Sequence, residues 1–181
     1  RKDSQKKFDA IAKKAGWDLK RVSVVHGDMT KPKCGLTPAQ VRTLSGKVKH
    51  FFHLAAIYDL TASADSQRAA NIDGTQHALD LGAAIKAGVF HHTSSIAAAG
   101  LYPGIFREDM FDEAEGLDDP YLSTKHDSEG LVRNEKRIKW RIYRPGMVVG
   151  HSQTGEMDKI DGPYYFFTLI KKLREMLPPW M

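Results

Sequence analysis

A tyrosine and a lysine stand four residues apart in the segment DDPYLSTK, at positions 121 and 125. Residues four apart lie on the same face of an α-helix. A free tyrosine has a pKa of about 10, and a nearby ammonium group lowers that pKa toward the range in which the phenol exchanges protons. Tyr121 and Lys125 are therefore candidates for a proton donor and its electrostatic partner.

Three consecutive hydroxyl side chains, Thr93, Ser94 and Ser95, lie in the segment VFHHTSSIAAAG. A hydroxyl at the end of a strand can hydrogen-bond the carbonyl oxygen of a substrate. Residue types alone leave this role open among the three. The neighbouring His91 and His92 point to opposite faces of a strand and cannot bind one metal ion together. We predict no metal site.

Strand and helix patterns alternate along the chain, which is typical of a parallel sheet flanked by helices. The predicted strands cover 21–28, 48–56, 89–100 and 140–150, and the predicted helices cover about 3–15, 65–87, 120–137 and 163–177. Right-handed crossovers would place the carboxyl ends of the strands at one edge, where open α/β sheets bind ligands. The expected fold class is α/β, with a doubly wound parallel sheet.

Several other residues follow the predicted strands or face that edge. Small side chains at Ala55 and Ala56 would allow an extended ligand to approach the backbone, although tight packing explains them equally well. Asp28 would either accept a hydrogen bond from an adenine amino group or form a turn after Gly27. Asn71 lies inside a predicted helix, where we expect its amide to brace the HLAA turn before position 57.

The composition indicates one globular domain: 181 residues, 41% hydrophobic and 27% charged, with a single cysteine that excludes an internal disulfide. The net charge is +5, but basic and acidic residues are interspersed, which argues against nucleic-acid binding. No apolar run is long enough to span a bilayer and no secretion signal is seen, so we predict a cytoplasmic protein. The amphipathic segment 163–177 is expected to pack on the sheet, with peripheral membrane contact as the alternative.

Six short segments occur in one order along the chain: GD, HLAA, NIDGT, TSSIAAAG, YLSTK and YRPGMVVG. In this order they resemble the extended short-chain dehydrogenase/reductase family, which has a Rossmann-like sheet. The segments GIFREDMFDEAEGLDDPYLSTKHDSE and RIYRPGMVVGHSQTGEMDKIDGPYYFF closely resemble the reductase domain of bacterial alcohol-forming fatty acyl-CoA reductases, in the male-sterility and thioester-reductase branch. The resemblance implies NADPH-dependent reduction of an acyl-CoA or another acyl thioester to an aldehyde, and in many members onward to a primary alcohol.

Site roles follow from this resemblance residue by residue. Tyr121 would donate a proton, Lys125 would tune it and hold the nicotinamide ribose, and Ser95 would position the carbonyl oxygen, with Thr93 and Ser94 as alternatives. The other implied cofactor-binding residues are Arg1 (or Lys2) at the 2′-phosphate, Asp28, Ala55 and Ala56 at the adenine and ribose, Asn71 as their brace, Thr93, and Pro145 with Gly146 near the nicotinamide.

No counterpart of the family's first two strands or its glycine-rich turn precedes Arg1. The resemblance therefore implies an incomplete, partial NADP-binding Rossmann domain over residues 1–162, with residues 21–26 isolated from strand 48–54, and the start of a substrate-binding part over 163–181. We expect this chain alone to bind NADPH weakly. Two alternatives remain: a sugar-nucleotide epimerase or secondary-alcohol dehydrogenase of the same fold, with Tyr121 as base, and a non-catalytic dinucleotide-sensing or scaffold module.

Overall fold

Three short parallel strands form the sheet of this computed structural model, which describes residues 2–18, 20, 22–57, 63–157 and 163–176. Strand β1 covers His50–His53, β2 covers Val89–Thr93 and β3 covers Lys139–Tyr143, in the order β1-β2-β3. Phe51 pairs with Phe90, and Phe90 pairs with Trp140. Aromatic and β-branched residues of this kind suit a pleated sheet. The parallel arrangement with helical crossovers confirms the predicted α/β class.

Six α-helices lie in the described residues: α1 (Lys2–Lys14), α2 (Pro38–Leu44), α3 (Ala64–Arg68), α4 (Gly74–Ala84), α5 (Pro120–Arg133) and α6 (Pro163–Met176). As predicted, α1 ends before Gly16, which has a φ of 64°. Helix α5 begins at the predicted proline but ends four residues earlier than expected. Helix α2 was not predicted, although Thr37 and Gln40 form a capping box at its start.

The predicted helix over 65–87 is one helical run with a change of pitch inside it. Helices α3 and α4 are joined by a π-helical turn at Ala69–Asp73, and α4 ends at Ala84. Gly88 does not cap this helix. Its N–H donates to the carbonyl of Val48, and a Cβ at Gly88 would lie 2.7 Å from the carbonyl oxygen of Lys49. The glycine therefore permits a close approach of the chain at the start of β2.

The predicted strand at 21–28 is wrong for residues 22–28, which are irregular. Val22, Val24 and Val25 are exposed. A strand forms only where a neighbouring strand satisfies its backbone hydrogen bonds, and in the described part of the chain β1 pairs only with β2. Residues 22–28 therefore have the β-branched composition of a strand, but no described strand lies beside them to accept and donate their backbone hydrogen bonds.

The hydrophobic core lies between one face of the sheet and helices α4 and α5. Phe90 and Val132 are fully buried there, and Leu79 and Ile85 are nearly so. The opposite face carries His91, whose ring nitrogens contact the Tyr143 hydroxyl at 2.8 Å and the His50 ring at 2.9 Å. His91 and its sequence neighbour therefore point to opposite faces, as predicted.

Helix α6 has its apolar side chains exposed, so the expected packing on the sheet is not observed for the described residues. The exposed members are Phe166, Phe167, Leu169, Ile170, Leu173 and Met176. Gly150 donates its N–H to the hydroxyl of Tyr164 in the first turn. None of the helices in the described ranges is long and apolar enough to cross a membrane.

A loop from Leu101 to Glu115 closes on itself beside α5. Gly100 forms an isolated parallel bridge with Glu115, and the N–H of Leu101 donates to the Glu115 carbonyl at 2.6 Å. Gly100 has a φ of 62°, and a Cβ there would lie 1.9 Å from that carbonyl oxygen. Only glycine fits this position, because both its backbone angle and its surroundings exclude a side chain.

We predict that Gly100→Ala lowers the free energy of unfolding by about 3 kcal/mol or more, because it adds a steric clash to an unfavourable backbone angle. Gly46→Ala is the matched control, since Gly46 has a φ of 73° and open space around it. It should cost only about 1 kcal/mol. Urea unfolding measures both, and equal losses would contradict the steric argument.

Two buried imidazoles make the core sensitive to acid. Burial, assisted by the nearby charge of Lys125, lowers the pKa of His53 to about 4. Burial also lowers the pKa of His92 to about 3, and neither ring nitrogen of His92 has a hydrogen-bond partner in the described residues. Because an unfolded histidine titrates near pH 6.5, both rings favour the folded state above that pH and lose this contribution as pH falls toward 4 and 3.

Stability should therefore fall by roughly 1.4 kcal/mol per pH unit for each ring between about pH 6 and pH 4.5. The variant His92→Leu should flatten the dependence of unfolding free energy on pH over this interval. His26→Leu, at an exposed histidine, should keep the original slope. An unchanged slope in His92→Leu would contradict a neutral buried imidazole.

Candidate active site

The segments that follow the three strands meet at the carboxyl edge of the sheet. The N–H of Ser94 donates to the carbonyl of Tyr143 at 2.8 Å, and the N–H of Ile96 donates to the carbonyl of Pro145 at 3.2 Å. These bonds extend the β2–β3 pairing beyond the last residues of the strands. The segment after β2 therefore has a fixed position beside the segment after β3, as the crossover argument predicts.

Helix α5 packs against this edge through Lys125. Its ammonium group donates to the backbone carbonyl of Thr93 at 3.3 Å, and only 6% of the residue is exposed. Burial lowers the pKa of Lys125, while the negative charge of Glu129 opposes that change. In the described residues Thr93 is the one acceptor bonded to this ammonium, which has three N–H donors. Donors therefore remain for a ligand hydroxyl.

The structure distinguishes two of the three hydroxyls that the sequence left open. Ser94 is buried and donates its hydroxyl to a Glu129 carboxylate oxygen at 2.7 Å. Ser95 is half-buried, and its hydroxyl accepts a hydrogen bond from the N–H of Ala97, capping a short 3-10 helix at Ile96–Ala99. The Ser94 proton is therefore committed to Glu129, whereas the Ser95 hydroxyl retains its proton for donation to a substrate oxygen.

Tyr121 lies in the first turn of α5, one turn before Lys125. The carboxylate of Asp119 caps the helix by accepting from the N–H groups of Tyr121 and Leu122, at 2.8 and 3.2 Å. Tyr121 as a whole is half-buried. The same helix is attached to the short helix after Ser95 by the ring of His126, whose Nδ1 lies 3.0 Å from the Ala98 carbonyl oxygen. The structure therefore places Ser95 and Lys125 at the end of β2, with Tyr121 one helical turn before Lys125.

Asn71 has the bracing role expected of it. Its amide oxygen accepts from the N–H of Ile57 at 2.8 Å, and its amide nitrogen donates to the Ile57 carbonyl at 3.1 Å. The same nitrogen donates to the hydroxyl of Thr124 on α5 at 3.2 Å. Asn71 thus connects the loop after β1 to the residue beside Lys125, from within the π-helical turn. Such turns are frequent at functional sites.

The other predicted cofactor-binding residues lie in different settings. Ala55 and Ala56 are exposed on the loop after β1, so tight packing does not explain them. Pro145 and Gly146 are exposed after β3, with Pro145 bonded to Ile96 as described. Arg1 lies outside the described residues.

Asp28 forms the turn that the sequence offered as one explanation. Its carboxylate accepts from the hydroxyl and the N–H of Thr30, at 2.7 and 3.0 Å, and lies 3.6 Å from the Lys31 ammonium. The Thr30 hydrogen bonds lower the pKa of Asp28 below its usual value. No bond in the described residues joins this turn to the end of β2, so a contact between Asp28 and adenine stays a prediction.

A buried ionic cluster that was not predicted from the sequence lies next to these residues. Glu129 is completely buried on α5, and its carboxylate accepts from the guanidinium groups of Arg144 and Arg133, at 2.6 and 2.8 Å. Burial raises the pKa of Glu129, but hydrogen bonds from Arg144, Ser94 and Arg133 outweigh it, so the pKa is lower than usual. The available signal was the i+4 series of polar residues at 121, 125, 129 and 133.

The described residues contain no group of three or more histidine, cysteine, aspartate or glutamate side chains that could hold a metal ion. Cys34 is buried, and burial raises the pKa of its thiol. It packs beside Met29 rather than at the strand ends.

Comparison with known proteins places this site in a family. A family model described as male sterility protein, with an NAD-binding label, matches residues 1–180. Glycine betaine reductase ATRR of Emericella nidulans is 32% identical over 149 residues, which are 79% of this chain and 12% of that protein.

Two solved structures show the same fold. The terminal R domain from the myxalamid PKS-NRPS biosynthetic pathway is 31% identical, with a TM-score of 0.66 over 79% of this chain and 38% of that chain. The UDP-glucuronic acid 4-epimerase from Bacillus cereus in complex with NAD is 26% identical, with a TM-score of 0.56 over 82% of this chain and 45% of that chain. The chain thus spans less than half the length of these proteins. It belongs to the male sterility protein family, a family of NAD(P)-binding oxidoreductases with a Rossmann-type sheet.

Proposed function

We propose that this chain carries the catalytic residues of an NADPH-dependent reductase that converts an acyl thioester to an aldehyde and then to a primary alcohol, with fatty acyl-CoA as substrate. The observation that carries the proposal is the bond from the Lys125 ammonium, one helical turn after Tyr121, to the Thr93 carbonyl at the end of β2, two residues before Ser95. A reductase needs a proton donor and a hydroxyl at the reacting carbonyl, and these residues supply both.

The residues at this edge fit a dinucleotide. Lys125 retains N–H donors for the hydroxyls of a nicotinamide ribose, and Thr93, Pro145 and Gly146 would lie beside the nicotinamide. The exposed Ala55 and Ala56 leave room for the adenosine half, with Asn71 holding their loop through Ile57. Arg1 would meet the 2′-phosphate and Asp28 the adenine. When bound, NADPH supplies the hydride.

The chain's own residues would then handle the carbonyl oxygen. Ser95 would donate a hydrogen bond to it and orient it, and Tyr121 would transfer a proton to it as negative charge develops. The ammonium of Lys125 would favour the phenolate that remains, because an opposite charge stabilises the ionised form. Burial of Lys125 strengthens this effect, since a charge acts more strongly when water is excluded.

An acyl substrate is supported by the chain beyond β3. Helix α6 presents exposed phenylalanine, leucine and isoleucine side chains, which suit a long hydrocarbon chain. We therefore assign residues 1–162 to cofactor binding and 163–181 to the start of the substrate-binding part; residues 158–162, at that boundary, lie outside the described ranges. The similarity to a terminal R domain of a PKS-NRPS pathway makes a thioester tethered to a carrier protein the main competitor of acyl-CoA.

A second candidate keeps the fold and changes the substrate. The 26% identity to a UDP-glucuronic acid 4-epimerase favours a sugar-nucleotide enzyme, in which Tyr121 would act as a base and the dinucleotide would be regenerated. The two functions differ in an observable way. A reductase consumes NADPH in proportion to product, whereas an epimerase does not.

The complete protein should oxidise NADPH when given palmitoyl-CoA and should transfer deuterium from the labelled C4 position of NADPH into the aldehyde or alcohol. Mass spectrometry of the product measures this transfer. Turnover of a carrier-bound palmitoyl thioester but not of palmitoyl-CoA would correct the substrate. Epimerisation of a UDP-sugar without net NADPH consumption would overturn the proposal in favour of the second candidate.

Tyr121→Phe should lower kcat for the thioester by about 10²- to 10⁴-fold, the usual contribution of a general acid, with little change in KM. Tyr143→Phe is the matched control, because it also removes one phenol hydroxyl, but from the sheet face that carries His91. It should leave kcat unchanged. If Tyr121→Phe retains full activity, Tyr121 is not the proton donor. A non-catalytic module becomes the better explanation only if the unmodified complete protein binds NADPH but turns over neither a thioester nor a sugar nucleotide.

A further inference from the structure

The buried carboxylate of Glu129 accepts hydrogen bonds from three side chains that belong to different elements of the fold. It is fully buried, one helical turn beyond Lys125 on the same face of α5. One oxygen accepts from the Ser94 hydroxyl and from Arg144, and the other accepts from Arg133 and Arg144. A buried ion pair is seldom more stabilising than apolar residues of the same volume. Its contacts with the end of β2 therefore point to a role in the site.

We propose that Glu129 is a positioning residue for the candidate active site: it fixes the segment Ser94–Ser95 and places a permanent negative charge behind Lys125. This inference rests on the proposed reductase function, and it adds a residue that the resemblance to known reductases did not assign.

The mechanical part of the proposal follows from two adjacent bonds. Lys125 holds the carbonyl of Thr93, and Glu129 holds the hydroxyl of the next residue, Ser94. Helix α5 thus holds β2 at two consecutive residues, immediately before Ser95. A one-residue shift or rotation of this segment would break both bonds. The Ser95 hydroxyl is therefore presented at a fixed distance from the helix that carries Tyr121.

The electrostatic part follows from the groups that face Lys125. His53 on β1 and His92 on β2 are both held neutral by burial, so neither adds a positive charge beside the ammonium. Glu129 is the acidic group whose charge acts on the Lys125 ammonium. Glu129 itself remains ionised because Arg133 and Arg144 donate to it. Its charge therefore offsets the cost of burying the ammonium and keeps Lys125 protonated.

The test is the pH profile of kcat/KM in the complete protein with the variant Glu129→Gln. Loss of the negative charge lowers the pKa of Lys125, so the alkaline limb should move to lower pH. The expected displacement is about one pH unit, as for a unit charge one helical turn away in a partly buried site. Ser94→Ala is the matched control, because it removes the hydrogen bond between Ser94 and Glu129 but removes no charge. It should lower kcat about tenfold and leave the alkaline limb of the pH profile at the same pH. If Glu129→Gln lowers activity with an unmoved limb, the residue is merely structural and the proposal is overturned.

Two further measurements keep the proposal testable. Should Glu129→Gln fail to fold because two arginines lose their partner, the double variant Glu129→Gln/Arg133→Gln preserves the net charge of the cluster and should still move the limb to lower pH. The pKa of Lys125 can also be read without turnover, from the ¹³Cε NMR titration of labelled lysines, with Lys125→Arg for assignment. A lower Lys125 pKa in the Glu129 variant supports the proposal even if no thioester is reduced, and an unchanged pKa overturns it.

Discussion

The arrangement of the site depends on one buried carboxylate. Glu129 receives hydrogen bonds from the end of β2 through Ser94, from the residue after β3 through Arg144, and from its own helix through Arg133. The same arginines donate to carbonyls in the loop before α5, at Arg107, Glu108 and Met110. Breaking a buried pair by removing one partner typically costs 3–5 kcal/mol, because a charge is left without compensation. Glu129 and its two arginines therefore connect two strand ends, a helix and a loop through one buried cluster.

The sequence predicted the elements that depend on local patterning. Helices α1 and α5 and the three strands at the core follow from their apolar spacing and from Gly16 and Pro120. The sequence did not predict the features that depend on contacts between residues far apart in the chain. Residues 22–28 have the composition of a strand, but in the described structure no neighbouring strand pairs with them, and composition cannot report an absent ladder. The π-helical turn within 64–84 also has no local signal.

Much of the candidate site was also predictable, because motif spacing reports which residues share a helix face or follow a strand. Asn71 braces the predicted loop, and Lys125 reaches the end of β2 as its position one turn after Tyr121 suggested. The difference between the Ser94 and Ser95 hydroxyls was not predictable. It depends on Glu129, which lies 35 residues from Ser94 in the chain and whose burial could be seen only once the helix was packed on the sheet. A glutamate in an exposed helix has the same sequence signature.

The two halves of the loop closed by Gly100 and Glu115 are held in different ways. The arginines hold its second half, whereas a Cβ at Gly104 in the first half would meet no heavy atom of another part of the chain within 4 Å, and Ile105 is largely exposed. Lengthening a surface loop costs little free energy, since the closure entropy grows only with the logarithm of its length. The tip at Gly104 is thus the place where extra chain can be inserted without disturbing the residues that the arginines hold.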